Sequence, residues 1–219
     1  LTLNEKKVLE QWIREGAVWA DHWAYVDPVK NPLPEVENKS WAKHWIDHFS
    51  LSHYEREDTN PAPDADPVTL IRRLHFDLTG LPPKSETVDK FVQNPSPEAY
   101  SDLINQLLDS KHFGERMAIY WLDLVRYADT VGYHGDQPHN ISPYRDWVIN
   151  AFNENMPFDQ FTREQLAGDL LPNSTTQQKV ASGYNRLLQT THEGGLQIKE
   201  YDAIYAADRV RNVSEVWMG

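Results

Sequence analysis

The 219-residue chain contains no cysteine. That excludes disulfides, thiolate metal sites, cysteine nucleophiles and covalent c-type haem attachment within this stretch. It leaves the compartment open, because a disulfide-free chain works on either side of a membrane. Positive charge is also scarce. Lys and Arg number 21 against 33 Asp and Glu, and the resulting net charge of −12 disfavours nucleic acid and anionic membrane surfaces, both of which need a basic face. No apolar run reaches the length of a bilayer span. The chain has no G-x-S-x-G, H-E-x-x-H, phosphate-loop or dinucleotide signature. No stretch alternates polar and apolar residues with period two, so strands are not expected.

What is present is helical. The 40% hydrophobic content and eight tryptophans supply a core, and a chain of this size buries about 70% of its unfolded surface without staples. Thr2-x-x-Glu5 is a capping box ahead of Val8, Leu9, Trp12 and Ile13, and Gly16 ends that helix. Residues 18–39 hold Pro28, Pro32 and Pro34 with Trp19, Trp23 and Tyr25, a composition that predicts a linker strap packed by its aromatics. Ser40 is expected to cap a helix carrying Trp41, Trp45, Ile46 and Phe49. On it His44 and His48 have an i, i+4 spacing that can bind a metal, but no third ligand is evident and two exposed helix histidines are the expected reading. Asp66-Pro67, Ser85, Ser96-Pro97, Ser142-Pro143 and Thr175 mark further helix starts, with Gly80 and Pro172 as stops. A last helix runs from about Ile198 to Met218. The expected fold class is all-α: an irregular multi-helix globular domain with Pro-rich connections and a central buried helix.

That central helix follows a turn at residues 111–114. From Met117 to Ala128 it is apolar on nearly every side, as an interior helix is. Its embedded charges need partners. Asp123, Arg126 and Asp129 stand at i, i+3, i+6, and together with Arg145 and Asp146 they are expected to form structural ion pairs; Asp208 and Arg209 belong to the same group. Two polar loops follow, 129–140 and 190–197. The first offers Asp129, His134, Asp136 and His139, the second His192 and Glu193. Brought together they could hold a divalent cation such as calcium through Asp129, Asp136 and Glu193, act as an acid/base pair through Asp136 and Glu193, or supply a haem axial ligand from His134 or His192. The alternative is that these are ordinary loop residues, with Asp129 paired to Arg126 or Arg145.

Long segments carry a resemblance. RRLHFDLTGLPP (72–83), GERMAIYWLDLVRYADTVGY (114–133), YRDWVINAFNENMPFDQFTREQLAGDLLP (144–172) and EGG (193–195) resemble the planctomycete-type cytochrome c family, specifically its helical module of unknown function lying between haem-binding segments. Residues 1–19 are similar to the last helix of the small cytochrome c domain that precedes this module. At 44–47 the chain has His-Trp-Ile-Asp where members often have Asn-Pro-Ile-Asp. The resemblance implies three segments: residues 1–17 as the C-terminal helix of a cytochrome c-like domain, 18–39 as linker, and 40–219 as the module. It implies a periplasmic or cell-surface protein with haem c on flanking segments of the same polypeptide. The chain, with no initiator Met at Leu1, is then a piece of something longer. The expected function is support of electron transfer or partner docking beside that haem. The alternatives are a carbohydrate- or polymer-acting enzyme using loops 129–140 and 190–197, and a purely structural or interaction module. Expected partners are the flanking haem domains and either a redox partner or a polysaccharide, with no nucleic acid and no membrane insertion.

Overall fold

The computed structural model describes residues 1–133, 135–191 and 193–219. It divides into two compact units, 1–63 with Gly219, and 64–218. Among the described residues there is no strand, only isolated bridges between loops, and the fold is all-α.

The first unit holds α1 (Leu3–Arg14) and α2 (Trp45–Arg56). The Thr2 capping box forms as expected, with Thr2 N–H donating to Glu5 Oε2 at 2.7 Å and Glu5 N–H to Thr2 Oγ1 at 3.3 Å. No residue of α1 is buried. The linker aromatics Trp19, Trp23 and Tyr25 are 82%, 79% and 76% exposed, so their apolar character is not used inside this unit. Its ordered anchor lies further on, where Val36 is buried and Glu55 of α2 accepts the N–H of Glu37 at 2.9 Å. The start of α2 differs from expectation. Its cap is His44, whose Nδ1 accepts from Ile46 N–H at 3.4 Å, while Asp47 accepts from His44 N–H at 2.8 Å. Ser40 instead donates to Asn38 Oδ1 at 2.7 Å. His44 thus leaves the helix, and the i, i+4 pair with His48 does not share a helical face.

The second unit runs through α3 (Pro67–Thr79), α4 (Ser85–Gln93), α5 (Pro97–Leu108), α6 (Lys111–Leu124), α7 (Ser142–Asn153), α8 (Phe158–Ala167), α9 (Thr176–Ala181) and α10 (Ile198–Met218), with 3-10 turns at Gly168–Leu170 and Ser182–Arg186. Asp66 Oδ1 accepts from the N–H groups of Val68 and Thr69, both at 3.0 Å, and Gly80 closes α3 at φ +71°. A small core of Ile71, Phe91, Leu103 and Leu107 joins α3, α4 and α5. The larger core includes Val125, Tyr144, Trp147, Val148 and Phe161, with Trp121 and Trp217 packed against it. The Trp147 and Phe161 rings stack 5.2 Å apart.

Residues 111–114 are the first turn of α6 rather than a connection, with Ser110 as the cap. Gly114 is there for packing: a Cβ on it would lie 2.4 Å from Ile149 O and 2.5 Å from Asn153 Oδ1, so only glycine lets α6 and α7 approach this closely. The helix is central in position, between α3 and α7, yet buries one side. Gly114 and Ala118 are buried, whereas Ile119 and Tyr120 are more than half exposed.

Candidate functional site

The helix α6 ends earlier than its apolar run suggests. Val125 is its C-cap, and Arg126 follows at φ +62°. Arg126 N–H donates to Asp123 O at 3.0 Å and Tyr127 N–H to Leu122 O at 2.9 Å. This is the paired bonding of a Schellman terminus with arginine in the left-handed place that glycine ordinarily fills. The conformation costs a side-chain-bearing residue about 1 kcal/mol. The guanidinium it aims is clamped by Asp208 of α10, with Nη1 and Nη2 donating to the two carboxylate oxygens at 3.0 and 2.9 Å. The hydrogen bonds from Arg126 hold the Asp208 carboxyl below its ordinary range. This corrects the expected pairing with Asp123 or Asp129. Because the helix stops at Leu124, the one-turn spacing of those three charges no longer sets their geometry. Among the described residues the Asp123 carboxylate has no ion-pair partner. Arg145 pairs with its neighbour Asp146 at 3.0 Å on an exposed surface, where such a pair contributes little.

Beyond Arg126 the chain forms the first polar loop, and the structure brings it against the start of the second. Thr190 N–H donates to Val131 O at 3.1 Å, and Gly132 bridges Thr190 in parallel. His139 N–H donates to Asp129 O at 2.7 Å, closing the loop on itself. The φ of +80° calls for glycine at Gly132, and a Cβ there would also press on the Gln189 side chain, 3.0 Å away at Cγ. Asp136, itself at φ +41°, accepts from Gly132 N–H at 2.8 Å. Hydrogen bonds, first from the Thr130 side chain and then from this amide, hold its carboxyl below the ordinary range. Asp129 Oδ1 accepts from Tyr127 Oη at 2.7 Å; burial first, and then this bond, push the phenol up to about 12. In the second loop Glu193 N–H donates to Thr191 Oγ1 at 3.2 Å, and Thr191 N–H donates to Tyr205 Oη of α10 at 2.9 Å.

The loops therefore converge, with Asp129 and Asp136 engaged in holding their own loop's shape. Among the described residues no group of three His, Asp or Glu side chains is arranged to hold a metal ion. The axial-ligand candidates His134 and His192 lie outside the described residues. Where the loops meet, α6's end, the 3-10 turn at Ser182–Arg186 and α10 enclose a cavity of about 400 Å³. Its wall includes Arg126, His139, Arg186, Leu187, Asp208 and Arg211. Sequence reasoning missed Arg186 and Arg211. They come from elements far apart in the chain, and no local spacing marks them as a pair.

The described residues thus form an all-α body whose two polar loops meet beside a cavity lined by arginines. Residues 45–219 match PSCyt2, described as a protein of unknown function (DUF1549), and the chain belongs to that family. The family name associates it with cytochrome c. No curated protein and no solved structure matches the chain. No helix among the described residues is long and apolar enough to cross a membrane.

Proposed function

We propose that this chain is the helical body of an exported, multidomain c-type cytochrome-like protein and docks haem-bearing segments of the same polypeptide, so that electron transfer or partner binding takes place beside it. The observation that carries this reading is α1. It is a well-capped amphipathic helix with Val8, Leu9, Trp12 and Ile13 at helical spacing, and none of its residues is buried. Burying such side chains is worth about 1.5–3 kcal/mol each, so an apolar face of this kind serves a surface that covers it. Similarity of residues 1–19 to the last helix of a small cytochrome c domain supplies the identity of that surface. The engagement of Asp129 and Asp136 within their own loop favours this reading over carboxylate catalysis at the two loops.

The test uses the full-length protein. A Soret band is expected, with a haem content unchanged by the pair Leu9→Lys and Trp12→Lys. That pair is expected to expose the 18–39 linker, seen as faster proteolysis there. Absence of any haem absorption, or cleavage no faster than in the parent, overturns the proposal.

A further inference from the structure

We propose that the cavity between the end of α6, the 3-10 turn at Ser182–Arg186 and α10 binds a small organic molecule through an oxyanion group, a carboxylate, phosphate or sulfate. The inference goes beyond the docking role and does not depend on haem.

Three arginines, Arg126, Arg186 and Arg211, line this one cavity in a chain whose net charge is −12. Asp208 is the carboxylate in the wall, and it is already taken by both terminal nitrogens of Arg126. Arg209, its neighbour, is turned away to donate from Nε to Asn185 O at 3.1 Å. Among the described residues Arg186 and Arg211 have no ion-pair partner, so the cavity carries an excess of positive charge. Glu215 acts on Arg126 from further along α10, after Asp208. Exposed charges more than about 8 Å away add little to this local balance at physiological salt.

The site is also shaped for a ligand rather than an ion atmosphere. About 400 Å³ is within the range of small-molecule pockets, and Val131 and buried Leu187 give it apolar wall. Arg126 is placed at the cavity wall by its left-handed backbone, where its pairing with Asp208 competes with a ligand for the guanidinium. The paired loops hold the opposite wall through the Thr190 to Val131 bond. Guanidinium forks match planar and tetrahedral oxyanions with charge-assisted hydrogen bonds, which lysines or a diffuse field do not reproduce.

Calorimetric titration of the full chain with inorganic phosphate, sulfate and acetate tests this, at low salt and at about 150 mM sodium chloride. Saturable binding that survives the salt is expected for at least one of the three. Preference for phosphate or sulfate assigns a tetrahedral headgroup, and preference for acetate a carboxylate. Arg186→Gln and Arg211→Gln are each expected to weaken binding about tenfold. Arg163→Gln, whose parent pairs with Asp159 outside the cavity, is expected to leave it unchanged. Asp208→Asn is expected to strengthen it several-fold by removing the competing charge, a direction that simple loss of structure does not produce. No saturable binding, equal weakening by Arg163→Gln, or no effect of either cavity arginine overturns the proposal.

Discussion

Gln165 of α8 is fully buried against α6 and α7, and its removal tests whether polar complementarity inside this core is cooperative. Its Oε1 accepts from Tyr144 Oη at 2.6 Å and from Trp121 Nε1 at 2.9 Å, and its Nε2 donates to Phe161 O at 3.1 Å. Trp121 Nε1 also reaches Tyr144 Oη at 3.2 Å. Burial raises the pKa of Tyr144, which keeps its phenol a donor. Gln165→Met preserves volume and removes the acceptor. Trp121 retains Tyr144 as a partner, but the Tyr144 hydroxyl hydrogen, in a side chain only 1% exposed, is orphaned. One buried orphan costs about 1–3 kcal/mol. Tyr144→Phe removes the donor and leaves Gln165 bonded to Trp121, a loss of about 1 kcal/mol. The double variant trades the orphaned hydroxyl for a Trp121 Nε1–H that has lost both acceptors, one orphan either way, so it is expected to be more stable than the sum of the singles by about 1 kcal/mol. Urea unfolding followed in the near- and far-ultraviolet measures this, with coincidence of the two probes as the check on a single transition. Singles that add to within about 0.3 kcal/mol would refute the network as one unit.

Other expectations follow from the same geometry. Gly114→Ala would gain about 1 kcal/mol of helix propensity in isolation, yet the close Ile149 carbonyl makes it destabilising by about 1–3 kcal/mol net, read as a lower urea midpoint; an unchanged midpoint counts against the close approach. Arg126→Gly and Arg126→Ala both lose the Asp208 pair, but glycine relieves the left-handed backbone, so the Gly variant should be about 1 kcal/mol the more stable in the same assay. Acidification should weaken the fold in two stages. Burial depresses His75 below its ordinary 6.5, so the unfolded chain takes up that proton first and stability is lost as pH falls below about 6.5. Asp208 and Asp136 are held below their ordinary 3.8, so their contributions are complete above that value and disappear only as pH falls through the lower folded values. A melting temperature flat between pH 7 and 5, or an upper stage that persists in His75→Gln, contradicts the assignment.

The central stretch shows where reading the sequence stops. The apolar run 117–128 gives a helix and a core face, but it does not show that Val125 ends the helix, since nothing at Arg126 resembles a glycine stop. The early stop depends on a partner, Asp208, that lies 82 residues away and offsets the strain. Gly114 misleads in the opposite sense. Glycine after Lys-His-Phe looks like a turn, and only the α7 backbone passing against it explains a glycine inside the helix. His44 takes the capping place that Ser40 was expected to fill because Glu55 holds the amides of Glu37 and Asn38 and the chain then turns at residues 39–41, so the helix starts only after it.

By itself the sequence determined the helices, most of their caps and the all-α class, because capping boxes, proline starts and apolar spacing act within a few residues. It also placed the two polar loops as a candidate site. Tertiary structure alone decided that these loops meet through Thr190 and Val131, that Asp129 and Asp136 are spent on the loop itself, and that Arg126, Arg186 and Arg211 face one cavity. Those relations join residues tens of positions apart, and their energy is realised only once packing of α6, α7 and α10 fixes the distances.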